Sequence, residues 1–243
     1  GEEDPATTAV ECEGLTPEEC DALRAMEGGA GMGTADLGGG PQESPQSGGP
    51  LLTASEVCTN AGYLCAEVTR VGRLQILRWP EDTPLIRIWV PEPTGVSPAL
   101  ARELQRAAVR GIQAWDGHPF PFALRTRKRG ETPDVTVEWV RSLGGNRLGR
   151  AQIEWVRQGE TIRLRVESLV LVTHYPGGRG LEMTPQQIRL VAAHEMGHAL
   201  GLPHSDDDRD LMYPENTATS LSAQDYRTLE ALYSLPNGAE IRR

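Results

Sequence analysis

The stretch TPQQIRLVAAHEMGHALGLPHS, residues 184–205, predicts one long helix followed by a sharp turn. Thr184 is a residue type that caps helix N-termini, and Pro185 suits the first helical position, where no amide hydrogen is needed. Gly201 stands where the helix is expected to stop, since glycine readily adopts the left-handed conformation that ends many helices. The stretch also holds three of the five histidines of the chain within eleven residues. It therefore joins a predicted helix to a cluster of side chains that commonly bind metals.

His194 and His198 are four positions apart, so they lie on one face of the predicted helix and can approach a common point. Glu195 projects about 100° further around the helix axis and can reach a water held at that point. H-E-x-x-H on a helix is the pattern of zinc hydrolases. A third ligand from the same helix could not complete a tetrahedral site, so the turn at Gly201 is needed to bring back His204. Three histidine ligands leave one position open for water, which is typical of catalytic rather than structural zinc.

Most of the remaining chain is predicted to form strands. The runs with strand-like composition are LQILRW (74–79), LIRIWV (85–90), FALRTR (122–127), DVTVEWV (134–140), RAQIEWV (150–156) and TIRLRVESLVLVT (161–173). The last run predicts either one long strand or a strand with a bulge. SPALARELQRAAVRGIQAW (97–115) predicts an amphipathic helix capped by Ser97, and SAQDYRTLEALY (222–233) predicts a final helix. This order of elements, without an internal repeat, predicts a mixed α/β domain.

From the central helix onward, the sequence resembles a known family. H-E-x-x-H-x-x-G-x-x-H followed by a methionine turn is the signature of the metzincin metalloproteases, and Met212 in LMYP supplies that methionine. VAAHE before the ligands, Ser205 after the third histidine and five residues between Ser205 and LMYP resemble the matrixin branch, the matrix metalloproteinases. The last predicted helix is also similar to the matrixin C-terminal helix, with Asp225 where that family has an acidic residue supporting the methionine turn. The resemblance is specific over residues 184–235 and extends over 80–183, and we expect the bacterial type.

The resemblance implies a metzincin catalytic domain of the α/β (α+β) class. Its twisted five-stranded mixed sheet would have one antiparallel edge strand and three main helices, with the active-site cleft between the sheet and the small C-terminal part. GRAQIEWV (149–156) is our candidate for the edge strand, along which an extended polypeptide substrate would add as a further strand. Met212 would lie beneath the three imidazoles as an apolar floor, a structural support rather than a ligand. Gly201 and Asp225 are expected to be structural supports as well.

The resemblance also implies a zinc-dependent endopeptidase with one catalytic Zn²⁺. His194, His198 and His204 would bind the metal. Glu195 would act as general base toward the zinc-bound water and would later deliver the proton to the leaving amine. Two alternatives stay open: a catalytically silent module that binds zinc or peptide on a protease fold, and a zymogen whose main substrate is its own N-terminal segment.

The first quarter of the chain differs in composition from the rest. Residues 1–55 carry eleven acidic residues and one basic residue, which accounts for the whole net charge of −10, and they are rich in glycine. Such a segment buries too little apolar surface to offset the entropy of ordering it, so we expect a disordered acidic Gly/Pro-rich arm. Residues 56–79 are expected to form a cysteine-containing lead-in segment, and residues 80–243 the protease domain.

The four cysteines form two close couples, Cys12 with Cys20 and Cys58 with Cys65. An even count in local pairs predicts two short disulfide loops in an exported protein, secreted or held in the periplasm or at the cell surface. Four reduced thiols are the alternative, whereas neither couple has the spacing of a zinc-binding pair. Because no run of about 18 apolar residues occurs, we expect no transmembrane segment.

Other charged and polar features favour weaker hypotheses. RTRKR (125–129) lacks interleaved aromatic residues and the folded part has no net charge, so we expect no nucleic-acid partner. The acidic turn after His204 makes calcium possible but unsupported, because it lacks EF-hand spacing; a solvated turn is expected. His118 and His174 are too few for the second, structural zinc of many matrixins. A thiolate or an Asp side chain from residues 1–79 could bind the metal and hold the enzyme inactive. The alternative is that this segment is only a disordered tether. We expect a monomer.

Overall fold

A computed structural model describes five stretches of the chain, residues 49–116, 123–158, 161–177, 180–215 and 217–243. Within them the strands are β1 (Leu51–Thr53), β2 (Arg73–Gln75), β3 (Leu85–Trp89), β4 (Ala123–Thr126), β5 (Val135–Val140), β6 (Gly149–Gln158), β7 (Thr161–Val172) and β8 (Glu240–Arg242). The helices are α1 (Ala54–Val57), α2 (Ala66–Val71), α3 (Pro98–Ile112), α4 (Pro185–Ala199) and α5 (Ala223–Ser234), with a 3₁₀ turn over Gln113–Trp115.

The main sheet contains five strands in the spatial order β4-β3-β5-β7-β6. The first four are parallel, and β6 pairs with β7 in the antiparallel direction at the edge. The predicted five-stranded mixed sheet with one antiparallel edge strand is therefore confirmed. The last predicted run is one long strand, β7, and its pairing with β6 shifts register between Gln152 and Ile153, as at a β-bulge.

The second half of β7 shows why this strand lies inside the sheet. Its consecutive apolar residues are all at most 3% exposed, namely Leu169, Val170, Leu171 and Val172. A continuous buried run, rather than an alternation of buried and exposed residues, indicates a strand covered on both faces. β3 instead alternates, with Ile86 and Ile88 buried between more exposed neighbours.

The three main helices expected from the sequence are α3, α4 and α5. Thr184 Oγ1 accepts the N–H of Gln187, whose side chain accepts the N–H of Thr184 at 2.8 Å, so a capping box starts α4. Ser97 caps α3 by accepting the N–H of Leu100. Both predicted N-termini are therefore confirmed.

α4 is the central helix of the fold. Every residue from Leu190 to Ala199 is buried, and the helix contacts α3 on one side and strands β6 and β7 on another. Gly111 of α3 allows the two helices to approach closely, because a Cβ there would collide with the carbonyl oxygen of Arg189. A helix buried all round keeps its side chains in defined positions, which suits a site built on it.

The residues before position 80 share the core of the protease domain. β1 and β2 pair with β8 on its two sides to form a second, three-stranded sheet that the sequence did not predict. The buried side chains of this N-terminal part lie in the same hydrophobic core as the main sheet: Ala61, Tyr63, Leu64, Val68, Ile76 and Trp79. The core therefore begins before the predicted domain start, because β8 at the far end of the chain takes both pairing partners from this segment.

The predicted strand over residues 74–79 is wrong beyond its beginning. β2 ends at Gln75, although Ile76 still exchanges backbone hydrogen bonds of 2.7 Å with Gly238 and Ala239, and the side chains of Arg78 and Trp79 are buried. Trp79 Nε1 donates a hydrogen bond of 2.8 Å to the carbonyl oxygen of Ala199, at the end of α4. Side-chain bonds to other elements thus replace the strand ladder that the apolar pattern suggested.

Cys58 and Cys65 form a disulfide that closes a short loop before α2, with Cα atoms 5.6 Å apart. This half of the cysteine prediction is confirmed, whereas Cys12 and Cys20 lie outside the described residues, as does most of the predicted arm. Within the described ranges, the helices lack the combination of length and apolar character that crossing a membrane requires.

Gly201 allows α4 to end in a close turn. It adopts φ +101°, and a Cβ there would collide with the carbonyl oxygen of Leu77. We expect Gly201→Ala to lower the free energy of unfolding by about 3 kcal/mol, because it adds this collision to backbone strain. Gly95→Ala is the matched control, since Gly95 adopts φ +82° with no atom within 4 Å of a Cβ, and it should cost about 1 kcal/mol. Urea unfolding measures both losses, and equal values would contradict a role for the close approach.

Candidate active site and metal centre

The three histidines of the motif converge at the end of α4. His194 and His198 are one turn apart on the helix and are at most 3% exposed. After the helix, the left-handed Gly201 turns the chain, and its N–H donates to the carbonyl oxygen of His198 at 2.9 Å. His204 then faces the two helical rings. His198 Nε2 lies 3.1 Å from Nε2 of His194 and 3.2 Å from Nε2 of His204.

The outer nitrogens of the two helical rings are held by backbone carbonyl groups. His194 Nδ1 lies 2.7 Å from the oxygen of Leu211, and His198 Nδ1 lies 2.8 Å from the oxygen of Leu202. Because a carbonyl oxygen only accepts, each Nδ1 carries the hydrogen and each Nε2 presents a lone pair. The Nε2 lone pairs of the two rings repel each other at this distance, whereas a cation bound by both would attract each of them.

The charge state of the rings also suits a metal. Burial, followed by the nearby His204, lowers the pKa of His194 to about 3, and burial lowers the pKa of His198 and His204 as well. The rings are therefore neutral at pH 7, the state in which imidazole binds metals. One ligand atom from each histidine lies within 4.8 Å of the others. Three neutral imidazoles, two of them with oriented outer nitrogens, fit one Zn²⁺ with an open fourth position.

Glu195 is fully buried next to His194, and neither of its carboxylate oxygens has a hydrogen-bond partner among the described residues. Burial raises the pKa of this carboxyl well above its usual value, while the nearby Ala151 amide and Arg150 guanidinium oppose the shift. Gly149, the first residue of β6, leaves room for the carboxylate, because a Cβ there would lie 2.6 Å from Glu195 Oε1. Buried, unsatisfied polar groups with perturbed pKa values are typical of functional sites.

The turn that contains Leu211 and Met212, called the methionine turn below, packs against the histidine helix. Met212 is fully buried, and a Cβ on Gly197 of α4 would collide with its Sδ atom. The carbonyl oxygen of Met212 accepts the N–H of Ser205 at 2.9 Å, one residue after His204. The turn therefore contacts the helix that carries two histidines and is bonded to the segment that carries the third.

Asp225 holds the methionine turn from the start of α5. Its buried carboxylate accepts hydrogen bonds from four donors: the N–H groups of Leu211 (2.9 Å), Met212 (3.3 Å) and Ser222 (2.8 Å), and the O–H of Tyr63 (3.0 Å). The carbonyl group of the same Leu211 orients His194. A continuous chain of hydrogen bonds thus runs from Asp225 to one of the three histidines.

The acidic turn after His204 differs from the solvated turn that was expected. Asp210 is only 3% exposed and accepts the hydroxyl groups of Ser205 and Ser222, each at 2.5 Å. Asp207 pairs with Arg209, which lowers the pKa of the Asp207 carboxyl to about 2. The prediction is wrong for Asp210, because two serine hydroxyls satisfy its carboxylate inside the protein.

His174 takes no part in the histidine cluster that the described residues form. His174 Nδ1 lies 2.9 Å from Thr173 Oγ1, and its Nε2 lies 3.1 Å from Nη1 of Arg141. His118 falls outside the described residues. The ring nitrogens of His174 are thus engaged by neighbours that are not metal ligands.

Part of the chain, including the candidate site, is similar to a known protein family. Residues 154–234, one third of the chain, match the family model described as Matrixin. This segment contains α4, the three histidines, the methionine turn and α5. The predicted resemblance is therefore confirmed over this segment, which carries the candidate metal site and is similar to matrixins.

Curated relatives agree over a shorter stretch. Macrophage metalloelastase of Oryctolagus cuniculus is 46% identical over 52 residues, which is 19% of this chain and 11% of that protein. Neutrophil collagenase of Homo sapiens is 49% identical over 51 residues, with the same two shares. The 72 kDa type IV collagenase of Gallus gallus is 46% identical over 54 residues, 21% of this chain and 8% of that protein. The chain spans about a tenth of the length of these relatives. All three are vertebrate proteins, so they give no support to the expected bacterial type.

Sequence reasoning missed several contacts of the site. Gly149 carried a usable signal, because a glycine at the start of a strand often marks a close approach by another group. Tyr63 carried none, since its bond to Asp225 joins residues that are 162 positions apart. The carbonyl groups of Leu202 and Leu211 are backbone atoms, so residue type could not reveal them.

Metal content tests the assignment of the histidines. We expect about one zinc ion per chain in the wild type and its loss in His198→Ala, because two imidazoles alone make a poor zinc site. His174→Gln is the matched control, since it changes another buried histidine whose ring contacts Thr173 and Arg141. Elemental analysis after zinc loading and dialysis measures the ratio. Zinc retained by His198→Ala, or lost by His174→Gln, would contradict the assignment.

Proposed function

We propose that this protein is a zinc-dependent endopeptidase of the matrixin type. The observation that supports it best is a buried carboxylate without a partner, Glu195, beside three inward-facing imidazoles. The matrixin match over residues 154–234 supports the same class of hydrolase. Gly201, Met212 and Asp225 would act as structural supports, through the turn, the packing and the hydrogen bonds described above.

The proposed chemistry divides between the metal and one side chain. His194, His198 and His204 would hold a single Zn²⁺, which when bound supplies Lewis acidity toward the scissile carbonyl group and lowers the pKa of a coordinated water to about 7. Glu195 acts as the general base and accepts the proton of the attacking water. The protonated carboxyl of Glu195 then delivers this proton to the leaving amine.

A polypeptide substrate would lie along β6. This strand pairs with β7 on one side and is the edge of the five-stranded sheet. Its first residue, Gly149, contacts the carboxylate of Glu195. An extended chain that adds to this edge as a further strand, the binding mode called β-augmentation, would therefore pass close to the general base.

The two alternatives receive less support. A silent zinc- or peptide-binding module has no need of a general base, whereas a fully buried carboxylate without a partner destabilises the fold. Retention of Glu195 therefore favours catalysis. For the separate hypothesis that a thiolate from residues 1–79 caps the metal, Cys58 and Cys65 supply none, because they form a disulfide. Reading the new N-terminus after incubation of the full chain tests self-processing.

We also propose an exported monomer. The Cys58–Cys65 disulfide supports an oxidising compartment, either outside the cell, in the periplasm or at the cell surface. The exposed large apolar side chains of the described residues are Leu51, Trp89 and Val156. They lie on β1, β3 and β6, which do not pair with one another, so they do not form a continuous row along one sheet.

Glu195→Gln keeps the size of the side chain and removes the base. We expect kcat to fall by roughly 10²- to 10⁴-fold while zinc content stays unchanged. Cleavage of a quenched-peptide library measures the rate, and wild type treated with 1,10-phenanthroline is the control for metal dependence. A wild type that holds zinc yet cuts no more than this variant would establish the binding module instead.

Gly149→Ala tests the space that the edge strand leaves for the base. The new Cβ would crowd Glu195 Oε1, so we expect kcat to fall roughly 10- to 100-fold with zinc retained. Gly144→Ala is the matched control from the same connection, because its Cβ would meet only Nη2 of Arg147, at 3.6 Å. Steady-state kinetics at matched zinc content compares the two variants. Equal activities would show that Gly149 does not position the carboxylate.

A further inference from the structure

We propose that Tyr63 is a positioning residue for the metal site and acts through Asp225 and the methionine turn. The proposal rests on the zinc site of the proposed function but not on peptide hydrolysis. Tyr63 lies in the segment 49–79, outside the residues that match the matrixin family. It would make the N-terminal part of the folded chain a component of the metal site.

The disulfide loop docks Tyr63 on α5. The N–H of Tyr63 donates to Thr228 Oγ1 at 3.1 Å, and the side chain is 4% exposed. Gly62 adopts φ +59°, and a Cβ there would collide with Thr228 Oγ1, so the backbone of the loop lies directly against the helix. The Cys58–Cys65 disulfide closes the loop around this contact. The ring of Tyr63 therefore has one defined position.

The hydroxyl group of Tyr63 is a fixed donor to a buried charge. It donates to Asp225 Oδ1 at 3.0 Å, and that same oxygen accepts the N–H of Met212. Burial and the charge of Asp225 raise the pKa of the phenol well above its usual value, so the group stays protonated and donates. Loss of the hydroxyl would leave a fully buried carboxylate with one donor fewer.

The effect reaches the metal site through both polar groups of Leu211. Its N–H donates to Asp225 Oδ2 at 2.9 Å, and its carbonyl oxygen accepts Nδ1 of His194 at 2.7 Å. If the Asp225 carboxylate moves, the backbone of Leu211 moves with it. The carbonyl group of Leu211 in turn sets the tautomer and orientation of the His194 ring. Groups that orient a ligand in this way tune metal affinity.

Tyr63→Phe removes the hydroxyl and keeps the ring. Using the full chain, competition with a chromophoric chelator measures the zinc dissociation constant. We expect affinity to fall about three- to tenfold, less than the 10–100-fold that follows loss of a group bonded directly to a ligand. Tyr226→Phe is the matched control, because it removes another tyrosine hydroxyl of the same region, one that donates to the carbonyl oxygen of Ala114 at 3.5 Å. Its zinc affinity should stay within about twofold of wild type.

Thermal unfolding separates positioning from a general loss of stability. A zinc site that is less well positioned gains less stability from zinc, so the rise in Tm on zinc loading should be smaller in Tyr63→Phe than in wild type. A purely structural role would lower Tm by the same amount with and without zinc, and that result would overturn the proposal.

A second variant, Cys58→Ser with Cys65→Ser, opens the loop and keeps Tyr63. We expect a smaller loss of zinc affinity in the same direction. An unchanged dissociation constant in folded Tyr63→Phe overturns the proposal, and if that variant does not fold, an unchanged constant in the double serine variant does so. If Tyr63→Phe weakens zinc binding while wild type cuts no peptide, the endopeptidase proposal fails and this one stands.

Discussion

Three neutral imidazoles held with their Nε2 atoms close together are the central constraint of this molecule. Such an arrangement is repulsive without a cation, so other contacts must hold each ring in place. His194 and His198 are held by their helix and by backbone carbonyl groups, and His204 follows a turn that needs glycine at position 201. The burial of α4 from Leu190 to Ala199 serves the same purpose, because a loosely packed helix would let the rings separate.

The buried charge of Asp225 organises the C-terminal part in a similar way. A carboxylate that is removed from water requires several donors, and the three nearest backbone amides supply most of them. Those amides belong to the methionine turn and to the first turn of α5, so satisfying one charge joins two elements. Asp210 does the same for two serine side chains. Two buried carboxylates thus convert a short irregular segment into a rigid support for the site.

Sequence patterns predicted the elements whose causes are local. The caps at Ser97 and Thr184 and the strand-like run over residues 150–156 were identified, because neighbouring residues determine helix ends and apolar periodicity. The antiparallel edge position of that strand was expected from the family resemblance instead. The errors share another cause. Residues 76–79 have a strand-like pattern, yet they bond to distant elements such as the end of α4. The three-stranded sheet was not predicted, because its strands lie far apart in the sequence, near residues 51, 73 and 240.

The spacing of the histidines alone was enough to indicate a metal site, because residues four apart on any α-helix share a face and glycine allows the return of the third ligand. The resemblance to matrixins followed from the same local signature. Tertiary packing, by contrast, determines which carbonyl groups orient the histidine rings, which glycine leaves room for Glu195 and which tyrosine hydroxyl contacts Asp225. These contacts join positions up to 162 residues apart, and their geometry arises only when the whole core has closed around them.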